Sequence, residues 1–168
     1  MPLVTTQNFF GAGFVGAGIR PMPDPMGSEV VQVRCPAIVN GTGAIGDVIP
    51  MAKIPAGCIV IDWQVDNDDI DTGAATIAAD LGVIVAGAVS ATAANGGKWL
   101  TASTALGAPA TTIGHHQATA VINALARMSP DVAERSVGFV LTAVGAGAAA
   151  ANAVIGLTLT YRAAYAGN

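Results

Sequence analysis

The feature that most constrains this chain is a spacing of two. In Ile155, Leu157, Leu159 and Tyr161 the apolar side chains alternate with Gly156, Thr158, Thr160 and Arg162. Successive side chains of an extended strand point to opposite faces, so this run predicts a half-buried antiparallel strand with one wet face. The pattern recurs upstream. Ile59, Ile61, Trp63 and Val65 alternate with Val60, Asp62, Gln64 and Asp66, and Val31, Val33 and Cys35 alternate with Gln32 and Arg34.

Helical periodicity is scarce. Further strands are expected over Ile45 to Ala52, Thr76 to Val85, Ala120 to Met128 and Ser136 to Val144, separated by Gly, Pro and Asp/Asn turn signals. Ala86 to Asn95 and Leu106 to Gln117 are Ala/Thr/Gly segments, read as loops or tightly packed short elements. A helical turn is expected over Ser129 to Glu134, with Ser129 as cap and Pro130 at its first position. The expected architecture is all-β: a single-domain antiparallel β-sandwich or jelly roll of about seven to eight strands over residues 30–168. Residues 1–29 differ in kind. Phe9, Phe10 and Phe14 are set among glycines and followed by Pro21, Pro23 and Pro25, which excludes a regular helix. Three phenylalanines need burial, so this extended arm is expected to reach onto a neighbouring subunit or another protein. Packing on its own domain and disorder are the alternatives.

Composition narrows the function classes. A chain of 168 residues is long enough for one core without staples. Charged residues make up 11% against about 25% in ordinary soluble proteins, and apolar residues 52%. So little charge leaves much of a monomer's surface to Ala, Gly and Thr, which favours burial against other subunits. A monomer with bland faces is the alternative. With a net charge of −4 and seven scattered Lys and Arg, no nucleic-acid partner is expected. Ser136 to Tyr161 carries no charge, but its Gly/Ala/Asn centre and β-patterned flanks read as two strands and a loop, so no membrane span is expected. Met1 to Phe10 lacks the pattern of a secretory signal, which points to synthesis in a cytoplasm.

The motifs that resemble chemistry are weak in context. Gly11, Gly13, Gly16 and Gly41, Gly43, Gly46 both fit the dinucleotide-binding spacing, but neither is followed by a helix pattern, so both read as turns. The acidic run Asp66, Asp68, Asp69 and Asp71 is the one concentration of charge. It is a weak Ca²⁺ candidate that fails the EF-hand spacing and reads first as a solvated loop. His115 and His116 are adjacent, and on a strand would point to opposite faces. Cys35 and Cys58 lack metal or redox spacing and read as packed side chains, with one cross-strand disulfide as the alternative. No enzymatic activity and no cofactor are expected.

The run from Lys53 to Asp71, with its Pro55-Ala56-Gly57 turn before a strand and its Asp-rich loop, resembles structural proteins of tailed phages and prophages. So do Ala79-Asp80-Leu81-Gly82-Val83 and the ending Gly156-Leu157-Thr158-Leu159-Thr160-Tyr161-Arg162. The resemblance, over roughly residues 45–85 and 135–162, is to the head decoration or cement family; the segment 11–27 lies outside it. It implies a virion protein on the capsid surface that bridges major capsid protein subunits, a homo-oligomer with a trimer favoured, made in the host bacterial cytoplasm. It carries over no catalytic residue. A second reading is a β-sandwich carbohydrate- or receptor-binding module of a phage fibre or tail, for which Trp99 is the candidate stacking platform. A third is a Ca²⁺-dependent adhesin-like domain.

Overall fold

A computed structural model describes residues 30–39, 43–70, 76–107, 110–114, 128–144 and 152–164. They form nine strands: β1 (Val30–Val39), β2 (Val48–Ile54), β3 (Cys58–Asn67), β4 (Ala78–Val85), β5 (Ala88–Val89), β6 (Lys98–Ser103), β7 (Ala110–Gly114), β8 (Arg135–Ala143) and β9 (Ala153–Ala163). One sheet runs β1-β9-β3-β7, the other β2-β8-β4, with β5 and β6 on the far edge of β4. All pairings are antiparallel. The expected antiparallel β-sandwich is therefore the fold. β5 and β6 are two pieces of one edge strand interrupted by an excursion over Ser90–Gly97. Among the described residues there is no α-helix, only short 3-10 turns at Ala93–Asn95 and Thr104–Gly107.

The sheets meet through the side chains that the alternation points inward. In β9, Ile155, Leu157, Leu159 and Tyr161 are fully buried while Thr158 and Thr160 are half-buried and Arg162 is exposed. Opposite them lie Ile49, Met51 and Ile54 of β2, Leu81 and Val83 of β4, and Val137, Phe139 and Leu141 of β8. Each large aliphatic or aromatic side chain so buried contributes about 1.5–3 kcal/mol. Both prolines within strands, Pro36 in β1 and Pro50 in β2, sit on edge strands, where a missing N–H breaks no central ladder.

Several expectations need correction. The phase read for β3 holds only for its second half. Trp63 and Val65 point inward, but so do Cys58 and Val60, leaving Ile59 and Ile61 half-buried outside. The register against β9 shifts between Val60 and Asp62. One inserted residue reverses which face every later side chain occupies. The helical turn over Ser129–Glu134 does not form. The Asp131 side chain instead accepts the Ala133 N–H at 3.1 Å, and its carbonyl accepts the Gly57 N–H at 2.7 Å, diverting both groups from a helix. β5 and β7 arise in segments read as loops or short elements, and β6 lies where no strand was expected. The expected strand over Ala120–Met128 lies outside the described residues but for its last position, as does the arm 1–29 with Phe9, Phe10 and Phe14.

Candidate functional site

The acidic run is the only sequence cluster with chemical content, and its described members are already engaged. Asp66, near the end of β3, faces Arg34 of β1 across the intervening strand β9. The Arg34 Nε donates to Asp66 Oδ1 at 3.1 Å and its Nη2 pairs with Oδ2. Gly156 makes room for the pair, since a Cβ there would fall onto both the guanidinium and the carboxylate. Hydrogen bonding to Asp66 raises the Arg34 pKa, against a smaller opposing effect of burial. Asp68 Oδ2 accepts the Val154 N–H at 2.9 Å, and the Asp68 N–H donates to the Val154 carbonyl at 2.9 Å, fastening the loop to the start of β9. Asp71 lies outside the described residues. Among the described residues, no group of three or more His, Cys, Asp or Glu is placed to hold a metal ion.

Two buried charges carry more structural weight than that loop, and only their rarity in a charge-poor chain marks them in the sequence. Asp80 of β4 is 6% exposed. Its carboxylate accepts from Lys98 Nζ at 2.5 Å and from the Ala102 N–H at 2.8 Å, so it holds β6 against β4. Arg135, at the start of β8, is 7% exposed. Its Nη2 donates to the Cys58 carbonyl at 2.8 Å and its Nη1 to the Ala94 carbonyl at 3.2 Å, tying β8, β3 and the Ser90–Gly97 excursion together. Burial lowers its pKa, with the Asp131 charge opposing. Each charge is spent on backbone groups and a neighbouring strand, which is the chemistry of a fastening.

The Trp99 platform does not exist. Trp99 is 1% exposed and stacks on Trp63, ring centres 6.4 Å apart and planes 16° from parallel, in the middle of the sandwich. Leu100 beside it on β6 also packs against the core, and β6 lies where the sequence pattern predicts no strand, so the pattern does not mark Trp99 as inward-facing. Gly43 and Gly46 lie in the β1–β2 turn with φ of 77° and 89°, as turn glycines do, and strands flank that turn on both sides. The first glycine window, Gly41, His115 and His116 lie outside the described residues. No disulfide joins Cys35 to Cys58; the first is half-buried and the second buried.

No protein-family model matches the chain, and no curated protein does. Among solved structures, a chain in the capsid of Ralstonia phage GP4 matches with a TM-score of 0.70 at 27% identity, over 89% of this chain and 94% of that one. A chain in the cyanophage Pam1 capsid asymmetric unit matches with a TM-score of 0.55 at 21% identity, over 87% of this chain and 93% of that one, a likeness of fold alone. The resemblance to phage head structural proteins carried by the sequence is thus met independently in the fold.

Proposed function

We propose that this chain is a virion structural protein that decorates or cements a phage capsid by bridging neighbouring major capsid protein subunits. The observation that carries this reading is the match to the Ralstonia phage capsid chain along nearly the whole of both chains: a single sandwich of this size is itself a capsid component there. A structural rather than catalytic role suits the described residues, whose buried charges fasten strands. The strand order supports the jelly-roll form of the sandwich, because successive strands β1 to β4 pass from one sheet to the other and β9 returns between β1 and β3. In this reading the protein is made in the host bacterial cytoplasm and ends on the capsid surface. It sits there as a homotrimer at threefold positions, where a closed symmetric cap contacts several shell subunits at once. The arm of residues 1–29 reaches onto a neighbour and buries Phe9, Phe10 and Phe14.

The experiment is reconstitution. Heads of the parent phage lacking this protein are mixed with the purified chain, sedimented and heated. The chain is expected to co-sediment at a fixed ratio to the shell protein and to raise the shell's melting temperature, as a ligand of the assembled state must. A chain that stays in the supernatant at micromolar concentration overturns the proposal. No observation favours the fibre or tail module, since its one stacking candidate is buried.

A further inference from the structure

The sequence contains two Asn-Gly pairs, Asn40-Gly41 and Asn95-Gly96, of which the first lies outside the described residues. Asn95 closes the short 3-10 turn of the Ser90–Gly97 excursion, and Gly96 follows it with φ of 78°. An asparagine is open to attack by the next backbone nitrogen when glycine follows, because glycine has no Cβ to obstruct the ring that forms. In the closed turn that nitrogen is engaged. The Gly96 N–H donates to the Ala93 carbonyl at 2.9 Å, and the Asn95 and Gly97 N–H groups donate to the Thr92 carbonyl at 3.1 and 2.9 Å. Ala91, Thr92, Ala93 and Ala94 are nonetheless exposed, so little buried surface resists a local opening of the excursion.

The side chain of Asn95 sits where a carboxylate would be better served. Its Oδ1 accepts from Arg135 Nη1 at the long distance of 3.5 Å, and its Nδ2 donates to Ser90 Oγ at 3.0 Å. Arg135 is buried, and its terminal nitrogens are engaged with the Cys58 and Ala94 carbonyls. Among the described residues its Nε has no hydrogen-bond partner and no carboxylate pairs with it. A buried charge without a countercharge destabilises the fold that holds it. Ser90 poses no obstacle to an acid at position 95. Its hydroxyl now accepts from Asn95 Nδ2 and, at 3.3 Å, from the Thr92 N–H, but a hydroxyl also donates and can turn its proton to a carboxylate. Both contacts of the amide therefore suit a carboxylate, and the charge added is the one that Arg135 lacks.

We infer that Asn95 is a site of spontaneous deamidation, and that the aspartate it leaves becomes the counter-ion of the buried Arg135. Water is the only reagent needed. In a locally opened excursion the Gly96 backbone nitrogen, giving up its proton to solvent, bonds to the carbonyl carbon of the Asn95 side chain. The bond from that carbon to the amide nitrogen breaks, and ammonia leaves with a proton from solvent. Water then opens the cyclic imide at one of its two carbonyls, to aspartate or to isoaspartate. Only the aspartate restores the main chain of the turn, so only it closes the excursion again with its carboxylate on Arg135. The modification does not depend on the decoration reading. It fastens the excursion more firmly as the protein ages.

The reaction is tested on the full chain, incubated at neutral pH and sampled by peptide mass mapping. Position 95 is expected to gain the mass of deamidation while Asn67 and Asn152, neither followed by glycine, stay intact. If position 95 stays unchanged in the folded chain over a period in which the urea-unfolded chain converts there, the proposal falls. The product is tested with Asn95→Asp, expected to melt about 2–4 °C above the freshly purified parent at neutral pH, the shift that a modest ionic gain makes in a chain of this length. That advantage should vanish in an Arg135→Met background. Should that background fail to fold, acid decides. Arg135 of β8, Asp131 of the loop before it and Lys98, committed to Asp80, are the charged groups around this position. A carboxylate paired with Arg135 has its pKa depressed on folding, so its advantage is present above the unfolded value of about 3.9 and is lost as the pH falls through the folded value. An Asn95→Asp chain that melts with or below the parent, or an advantage that survives in acid or without Arg135, overturns the pairing.

Discussion

Gly138 and the two tryptophans show how closely individual residues fit the sandwich. A Cβ on Gly138 would run into the Ile49 carbonyl oxygen and lie 3.0 Å from Pro50 Cα, both backbone, so β2 cannot yield without breaking its ladder to β8. Gly138→Ala is expected to destabilise the protein by about 2–3 kcal/mol in urea unfolding, at the upper end of overpacking costs; a loss below about 0.5 kcal/mol would mean that β2 is not held where the pairing puts it. Among the described residues the Nε1 atoms of Trp63 and Trp99 are buried with no hydrogen-bond partner. An orphaned buried donor costs about 1–3 kcal/mol. Trp99→Phe removes that cost while keeping a stacked ring, so it should lose less than about 1.5 kcal/mol, whereas Trp99→Ala should lose about 3–5 kcal/mol. Equal losses would show that the indole N–H is satisfied. The Arg34–Asp66 pair, by contrast, is half exposed, and pairs of that kind contribute about 0–1 kcal/mol.

At the scale of elements, the least self-sufficient part is the edge formed by β5, the Ser90–Gly97 excursion and β6. β6 meets β4 at a few positions with register shifts between them, and the Asp80 carboxylate supplies the hold that the broken ladder lacks. Asp80→Ala leaves the Ala102 N–H without its acceptor. It is expected to cost about 1–3 kcal/mol and to speed amide exchange in β6 well before β8 or β9. Uniform exchange across both sheets would show that β6 does not open separately. Arg135 does the same for the excursion. Arg135→Met withdraws the donors that the Cys58 and Ala94 carbonyls use, and is expected to cost about 2–4 kcal/mol while loosening the Val132 loop.

For the whole molecule, the scarcity of charge sets how it associates. A chain with 11% charged residues has little Coulomb attraction to screen, so binding to shells under the proposed function is expected to change by less than about threefold between 0.05 and 0.5 M salt, a range over which the Debye length falls about threefold. A steep salt dependence would show that charged groups carry the contact. Light scattering on the purified chain tests the trimer directly: a trimeric mass supports a preassembled cap, and a monomeric mass at micromolar concentration removes the homotrimer from the proposal.

The sequence by itself determined the fold class, because a period of two can bury an apolar face only in a sheet, and Ile155, Leu157, Leu159 and Tyr161 point where that period sends them. The resemblance in its middle and final strands also pointed to phage head structural proteins, which the likeness of fold to phage capsid chains bears out. What it left open depended on contacts between residues far apart in the chain. The bulge after Val60 exists only because β3 must pair with β9, and it overrode a regular local pattern. Trp99 became core because β6 was recruited to β4 by Asp80, although its own segment carries little strand signal. Asp66 and Asp68 of the acidic run were assigned to Arg34 and to the Val154 backbone by neighbours that adjacency in sequence does not reveal. Periodicity is a local property and was legible; register and strand neighbours arise only when distant segments meet.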